Sequence, residues 1–337
     1  MDDAGHSVSG GSRSATKPGA GVSSRTRFLA ASVRKAYLLF RELRAEFLPA
    51  SLVPVCVGAA LAFNRTGRWH GALFLWTLAG VALLHLGANV LNDYSDHLSG
   101  NDAGNRDFVR PFTGGSRLIQ QGLLRPADVL ILAVVLLAAG AAAGLFIAHR
   151  TGPAALVLGF IALAGGVAYS AAPFRLSARG WGEIAIGLLF GVLPVVGSAY
   201  VQTGRVSVEA AMVSLPIAVL ILAVVFVNQF QDSAADAAAG KRHWVVRLGR
   251  RRAARVYAGL MALWVVILGV EICTGILPRA AAWVLPIGLA GVPAARTVLA
   301  HYDSPRDLTP ANALTAVIHL AAGVGIAVAL AVDGWRG

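Results

Sequence analysis

The chain has 337 residues, of which 56% are hydrophobic and only 14% are charged, and its mean hydropathy is +0.66. This composition excludes a soluble globular protein of this size, because too few polar side chains remain to cover its surface. The net charge of +12 does not indicate nucleic-acid binding, since the basic residues lie between apolar segments and not in one basic domain with interleaved aromatics.

The N-terminal region divides into two predicted segments. Residues 1–27 are rich in Gly and Ser and contain no apolar stretch, which predicts a disordered tail. Residues 28–46 interleave large apolar side chains with Arg and Lys. That pattern is typical of an amphipathic helix at the lipid headgroups, or of a solvated helix before a first span.

The remainder, 47–337, is predicted to be one transmembrane domain. A helix needs about 20 apolar residues to cross the hydrocarbon, and it satisfies its own backbone polar groups there. We therefore expect an all-α, polytopic membrane protein with nine transmembrane helices. The predicted spans are 47–64, 71–92, 127–148, 153–172, 182–203, 208–230, 253–274, 279–299 and 309–332. Pro286 and Pro293 predict a kink in the eighth span.

The basic residues predict the orientation of these spans. Of the 29 Lys and Arg residues, 23 lie on the side of the N-terminus and six lie on the opposite side. Cytoplasmic loops of membrane proteins carry the excess of Lys and Arg. Nine spans in the cell membrane with a cytoplasmic N-terminus satisfy this rule.

Two acidic clusters follow predicted spans on the cytoplasmic side. The first, where the second span ends, contains Asn89, Asn92, Asp93, Asp96 and Asp102. The second, where the sixth span ends, contains Asn228, Asp232 and Asp236. Helical spacing places the members of each cluster on one face. Carboxylate and amide oxygens in such a stripe suit Mg²⁺, with Asp93, Asp96, Asp232 and Asp236 as ligands and substrate phosphates completing the shell.

Basic residues stand next to both clusters. Lys241 and Arg242 follow the second cluster directly, and Arg110 follows the first. Such cations can neutralise phosphate charge that metal leaves unmet. The alternative function is a cation-coupled carrier or channel, since acids within a membrane also mark ion paths. Such acids should lie near mid-membrane, where the sequence offers only Glu271, close to the far end of a span.

Several motifs resemble those of one known family. They are Asn89-x-x-Asn92-Asp93-Tyr94-x-Asp96, Arg110-Pro-Phe-Thr-Gly-Gly-Ser-Arg117, Tyr169-Ser-Ala-Ala-Pro173-Phe-Arg175 and Asp232-x-x-x-Asp236 with Lys241-Arg242. Together they resemble the UbiA superfamily of intramembrane aromatic prenyltransferases, and within it the menaquinone branch, which prenylates 1,4-dihydroxy-2-naphthoate. The resemblance implies nine helices around a central cavity, a polyprenyl diphosphate donor, an aromatic acceptor and Mg²⁺.

The resemblance and the residue chemistry together predict roles for individual residues. The four aspartates named above bind the metal, and the cations Lys241, Arg242, Arg175 and Arg110 bind the diphosphate. Asn89, Asn92, Asp102, Tyr169 and Asn228 are the predicted catalytic neighbours of the reacting groups. For Asn89, Tyr169 and Asn228, polar contacts between helices are the alternative role. Neutral Gln229 and Gln231 and bulky Trp244 leave a different aromatic acceptor open.

Overall fold

The structure is a computed structural model that describes residues 24–105 and 108–336. These ranges are helical, without a β-strand, as expected for a chain whose backbone polar groups must be satisfied inside lipid. The α-helices are α1 (Ser24–Glu42), α2 (Pro49–Thr66), α3 (Gly71–Leu98), α4 (Asn101–Gly104), α5 (Pro126–Thr151), α6 (Pro153–Ser170), α7 (Gly182–Ile186), α8 (Leu193–Thr203), α9 (Val208–Val213), α10 (Leu215–Ala238), α11 (Trp244–Leu248), α12 (Arg250–Cys273), α13 (Gly291–His301) and α14 (Thr309–Arg336).

The chain forms two compact units, 1–37 and 38–337. In the first unit the structure describes only residues 24–37, the beginning of α1, where Leu29, Val33 and Tyr37 are exposed. Most of the predicted disordered tail, 1–27, lies outside the described residues. The second unit contains the remaining helices. The predicted boundary between an interfacial helix and the transmembrane domain stays a prediction.

The predicted all-helical membrane architecture is confirmed. Eight helical segments of the described chain are long and apolar enough to cross a membrane, or nine if the bent pair Leu29–Phe47 and Pro49–Thr66 is counted as one span. The eighth predicted span changes from a 3-10 helix, Arg279–Ala290, to α13 within its length. Its two prolines account for this break, because proline removes a backbone donor.

The two largest of three apolar clusters pack the helices that carry the acidic residues. The larger packs α10 against α12 and α14 and contains the fully buried rings of Phe226, Tyr257 and Trp264. The smaller packs α3 against α5 around Val90 and Ala133. As a result, α3 and α10 are both fixed by packing along their length, and their last turns emerge at the same end of the bundle, where the loops before α5, α7 and α12 gather.

Candidate active site

The two acidic clusters lie on the last turns of α3 and α10. Both helices extend beyond the predicted spans, α3 to Leu98 and α10 to Ala238. The helical stripes expected from residue spacing are therefore present. The polar last turns continue the helices because the loops packed on them keep their carboxylates out of lipid.

A cavity with about 1260 Å³ of space opens between these stripes. Its wall includes nine of the thirteen predicted site residues: Asn89, Asn92, Asp96, Asp102, Tyr169, Asn228, Asp232, Asp236 and Lys241. The remaining four, Asp93, Arg110, Arg175 and Arg242, do not belong to the wall formed by the described residues. The cavity thus collects most of the predicted site from segments more than a hundred residues apart.

Lys241 joins the two stripes. Its Nζ lies 2.6 Å from Asp96 Oδ1 and 3.7 Å from Asp236 Oδ1. Burial, the largest influence, acts to lower the pKa of this ammonium, but Asp96 and Asp236 raise the pKa above its ordinary value. Lys241 is therefore a buried cation held by one carboxylate from each helix.

Asp102 is a buried acid at the rim of the same cavity. Burial raises the pKa of its carboxyl to about 7, and the negative charges of Asp96 and Asp93 act in the same direction. Gln120 Nε2 donates a hydrogen bond to Asp102 Oδ2 at 3.0 Å. This carboxyl is thus positioned by a neighbour and sensitive to any added positive charge.

Asp93 is placed behind the wall and holds a loop. The backbone N–H of Ser116 donates to Asp93 Oδ2 at 2.7 Å, and Arg44 Nη1 lies 3.5 Å from Asp93 Oδ1. Gly115 has a φ of +62°, and a Cβ at this position would stand 2.9 Å from Asp93 Oδ1. Only glycine permits both this backbone conformation and this close approach.

The predicted amide and phenol groups are tied to neighbouring helices. Asn92 Nδ2 donates to Ser170 Oγ at 3.0 Å, and Asn312 of α14 donates to Asn228 Oδ1 at 2.6 Å. Both side chains therefore line the cavity and also make polar contacts between helices, the alternative role expected of Asn228. Tyr169 and Asn89 complete this part of the wall.

Gln231 and Trp244, two of the three residues that allowed a different aromatic acceptor, do not line the cavity. Gln231 is buried and donates to Pro305 O and Asn312 Oδ1. The Trp244 indole N–H donates to Gly180 O at 3.0 Å, outside the wall. Gln229 does line the cavity, and its buried Oε1 accepts no hydrogen bond within the described structure.

The three predicted arginines lie at other places on the surface of this end. Arg110 is exposed and donates to Ser116 O, Arg175 is half-buried with a φ of +44°, and Arg242 is exposed. Their proposed contact with diphosphate stays a prediction. These arginines can contact a diphosphate only if it extends to the rim of the cavity.

Sequence reasoning did not assign a role to Arg44 or His243, and both line the cavity. His243 Nε2 lies 3.0 Å from Asp236 Oδ2, and Arg44 stands 4.8 Å from the centre of the Phe47 ring. The position of His243, two residues after Lys241, was the available signal. Arg44 gave none, because its partner Asp93 is almost fifty residues away.

The loop that carries Lys241 and His243 is hydrogen-bonded to α7 and to the segment before it. Glu183 Oε1 accepts from the backbone N–H of Trp244 at 2.6 Å, and Ala178 O accepts from that of Arg242 at 2.8 Å. Glu183 is fully buried. These bonds hold the backbone next to Lys241 in place and so position its side chain in the cavity.

The donor set suits a hard cation such as Mg²⁺. Asn101 Oδ1 is buried in the cavity wall and accepts no hydrogen bond within the described chain. This orphaned oxygen, with three aspartates nearby, matches the all-oxygen shells of hard cations. Among the described residues no three acidic, His or Cys side chains converge on one point, since Lys241 separates Asp96 from Asp236.

The family model described as the UbiA prenyltransferase family matches residues 51–318 of this chain. The 1,4-dihydroxy-2-naphthoate octaprenyltransferase of Mycobacterium tuberculosis is 32% identical over 86% of this chain and 94% of its own length. The 2-carboxy-1,4-naphthoquinone phytyltransferase of Synechocystis is 27% identical over 91% of this chain and 96% of its own.

Solved structures support the same fold. A UbiA homologue from Aeropyrum pernix superposes with a TM-score of 0.64 at 16% identity, over 85% of this chain and 98% of the homologue. A UbiA homologue from Archaeoglobus fulgidus, solved with DMAPP and Mg²⁺ bound, gives a TM-score of 0.61 at 18% identity, over 86% and 99%. With the family match, these findings replace the carrier or channel alternative: this chain is a membrane prenyltransferase and belongs to the UbiA family.

Proposed function

We propose that this enzyme transfers a polyprenyl group from an isoprenyl diphosphate to 1,4-dihydroxy-2-naphthoate, with Mg²⁺ as cofactor. The observation that carries the proposal is the cavity where carboxylates of α3 and α10 face each other across Lys241. The names of the relatives from Mycobacterium tuberculosis and Synechocystis support a naphthoate-type acceptor.

The metal ligands proposed from the cavity wall are Asp96, Asp232 and Asp236. Asp93, predicted as a ligand from its motif, is proposed to act from behind the wall. Bound Mg²⁺ supplies charge to the departing diphosphate oxygens. Asn105 Nδ2 donates to Asp232 Oδ1 at 2.7 Å and so fixes the direction of that carboxylate.

Lys241 is proposed to bind the diphosphate. With Mg²⁺ bound, Asp96 and Asp236 would be neutralised by the metal, and the Lys241 ammonium would be free to donate to a phosphate oxygen. Charge then develops on the leaving oxygen as the allylic carbon–oxygen bond breaks, and Lys241 stabilises that charge in a site screened from water. Arg110, Arg175 and Arg242 are proposed to add positive charge at the rim.

Tyr169, Asn89, Asn92 and Asn228 are proposed to surround the allylic carbon and the acceptor. An electron-rich ring carbon of the acceptor attacks the allylic carbon as the diphosphate leaves with the bonding electrons. In the naphthoate case the attacking carbon is the one that carries the carboxylate, which departs as carbon dioxide and leaves its bonding electron pair to restore the aromatic ring. With another acceptor, the attacking carbon loses its proton instead. Exclusion of water by the cavity protects the allylic cation from hydrolysis.

The enzyme is proposed to sit in the cell membrane with its N-terminus in the cytoplasm. The support for this orientation is the excess of Lys and Arg on the side of the cavity. Both proposed water-soluble groups, the diphosphate and the acceptor carboxylate, are then drawn from the cytoplasmic side.

A different aromatic acceptor is the second candidate, and Gln229 favours it. Its Oε1 is buried in the cavity wall without a hydrogen-bond partner and could accept a hydrogen bond from a hydroxyl group of the acceptor. A panel of phenolic acids beside the naphthoate separates the two candidates, since the preferred acceptor is the one with the higher kcat/KM.

The test is transfer by purified protein with Mg²⁺, farnesyl or longer prenyl diphosphates and the acceptor panel. We expect a prenylated naphthoate product, and a loss of at least about 100-fold in kcat/KM for Asp96→Ala and for Asp232→Ala. Glu209→Gln is the control, because Glu209 pairs with Arg65 at the opposite end of the bundle. Absence of any prenylated product, or full activity of both aspartate variants, would overturn the proposal.

A further inference from the structure

His85 lies on α3 and lines the cavity of the candidate active site. It stands one turn before Asn89 and roughly 16 Å along the helix from Asp96. At a similar depth on α10, about two to three turns before its first aspartate, the wall consists of the apolar residues Ile221, Val224 and Val225. His85 is therefore a polar side chain at the apolar end of the cavity, away from the proposed metal ligands.

The hydrogen bonds of Ser51 determine which nitrogen of His85 carries a proton. Ser51 Oγ lies 2.6 Å from His85 Nδ1, and the same hydroxyl donates to Leu48 O at 3.1 Å. A hydroxyl has one proton, so Ser51 Oγ accepts from Nδ1. The ring is neutral, because a buried imidazolium without a carboxylate partner is costly. Nε2 therefore keeps a free lone pair.

The free nitrogen is available to a molecule in the cavity. Nε2 makes no hydrogen bond within the described residues, and it is not among the side-chain atoms that are sealed from open space there. Ser51 is not part of the wall of this cavity, so the ring edge away from Ser51, which bears Nε2, faces the cavity. The Phe190 ring, also in the wall, stands edge-on to the imidazole with centroids 5.0 Å apart.

We propose that His85 is a catalytic base that takes the proton of the acceptor hydroxyl, and that Ser51 is its positioning residue. The inference rests on the proposed function, which brings an electron-rich aromatic acceptor into this cavity. An aromatic ring packed against Phe190 can direct a hydroxyl to Nε2. Attack by a neutral hydroxyaromatic ring would leave a positive charge on that ring, which is costly beside an apolar wall, and removal of the hydroxyl proton prevents this charge.

The other titratable side chains of the described wall fit this role less well. Lys241 is a cation held by two carboxylates, and His243 Nε2 lies 3.0 Å from Asp236 Oδ2. Tyr169 is a phenol and offers no basic group near neutral pH. The remaining ones are the cation Arg44 and the carboxylates at the metal end of the cavity, Asp96, Asp102, Asp232 and Asp236.

The proposed step balances in protons and electrons. As the hydroxyl proton moves to Nε2, the O–H electron pair forms a carbonyl, the conjugated ring carbon bonds to the allylic carbon, and the diphosphate leaves with the carbon–oxygen pair. Loss of carbon dioxide, or of the proton on the attacking carbon, then returns an electron pair to the carbonyl oxygen. That oxygen takes the proton back from Nε2, and the neutral base is regenerated.

The experiment compares the wild type with His85→Gln on naphthoate acceptors that carry up to four fluorine atoms on the distal ring. Fluorine lowers the pKa of the reacting hydroxyl, and the assay pH lies above that pKa for the most fluorinated member. Glutamine keeps hydrogen-bonding groups but cannot take a proton. With the unsubstituted acceptor we expect kcat/KM to fall by about 100-fold or more. With the acceptor that is already ionised, the loss should shrink by about tenfold or more.

Ser51→Ala gives a second, independent reading of the same step. Without its hydroxyl partner, His85 is free to turn and to place its proton on Nε2. We expect kcat to fall by about tenfold, with a smaller loss for the ionised acceptor. A purely structural role of Ser51 would lower the activity on all acceptors by the same factor.

His319→Gln is the matched control. His319 is also a buried histidine, and its Nε2 lies 3.2 Å from the carbonyl oxygen of Ala50, next to Ser51, but it is not part of the wall of this cavity. This variant should behave like the wild type. Calorimetry of a prenyl diphosphate with Mg²⁺ checks the fold, and His85→Gln and Ser51→Ala should bind this donor as tightly as the wild type.

Wild-type kcat/KM in His85→Gln would overturn the proposal. A loss of the same factor for every acceptor in both variants would also overturn it, since a missing base must matter less when the hydroxyl is already ionised. If His85→Gln fails to bind the donor, the acceptor series with Ser51→Ala decides. Failure of the proposed function has a different signature: the wild type binds the donor and prenylates no member of the series, and the role of His85 then falls with it.

Discussion

Lys241 is the residue on which the charge balance of the site depends. Its ammonium faces Asp96 and Asp236, and the raised pKa keeps it charged throughout the physiological range. Because one ammonium pairs with a carboxylate of α3 and a carboxylate of α10, loss of either carboxylate changes the charge balance at the other.

Lys241→Met should lower kcat by about 100-fold or more, because a methionine keeps the length of the side chain and removes the charge that is proposed to stabilise the leaving diphosphate. Lys241→Arg should recover part of this loss. The measurement is steady-state kinetics with a prenyl diphosphate. Arg251→Ala, an exposed cation at the start of α12, is the control and should behave like the wild type.

Gly115 provides a test of backbone geometry at the site. Gly115→Ala should lower the free energy of unfolding by more than about 1 kcal/mol, since the new Cβ adds a collision with Asp93 to the cost of a positive φ. Gly122→Ala is the matched control, with a φ of +68° and no atom within 4 Å of a Cβ. Thermal unfolding in detergent compares the two, and equal losses would show that the approach to Asp93 is not limiting.

Asp102 predicts a pH dependence of metal binding. With its pKa raised from 3.8 to about 7, the metal-free folded protein keeps this proton up to near neutral pH, and this carboxyl destabilises the fold increasingly between pH 4 and 7. A bound cation favours the carboxylate, so binding of Mg²⁺ with diphosphate should release more protons at pH 6 than at pH 8. Calorimetry in two buffers of different ionisation enthalpy measures this release. The difference should shrink in Asp102→Asn, and an unchanged difference would contradict the assignment to Asp102.

At the scale of elements, the loop after α10 is held by hydrogen bonds to α7 and to the segment before it. Glu183→Ala removes the acceptor of the Trp244 N–H bond and should lower kcat/KM by about tenfold, since Lys241 and His243 lose their support. Glu183→Gln retains an oxygen acceptor and should recover most activity. The comparison requires both kinetics and unfolding curves, and equal kinetic losses in both variants would show that charge, not the hydrogen bond, matters.

The helices of the site were predictable because their signal is local. An apolar stretch of about 20 residues and a carboxylate every three or four positions are visible without knowledge of any neighbour. The predicted spans end at 92 and 230, and α3 and α10 continue to Leu98 and Ala238 with the acidic stripes on their last turns, as the helical spacing of the acids predicts. The pairing of Arg44 with Asp93 and of Glu183 with Trp244 depends on packing between distant segments, and one sequence contains no trace of it.

At the scale of the whole molecule, orientation is the main prediction. Leu98, at the cavity end, and Trp69, at the opposite end, are both exposed. In a variant with Cys56 and Cys273 replaced by Ser, Leu98→Cys should react with a membrane-impermeant maleimide only from the cytoplasmic side, and Trp69→Cys only from the other. Labelling of intact cells and of inverted vesicles gives the answer. The reverse pattern would place the cavity on the exterior.

The bridge between Lys241 and the two aspartates has a consequence for how metal and donor bind. Any cation that binds these carboxylates must compete with the ammonium for the same oxygens. The proposed diphosphate would offer the displaced ammonium a new partner, so each ligand would lower the free-energy cost of binding the other. By thermodynamic linkage we therefore expect metal and donor to bind cooperatively.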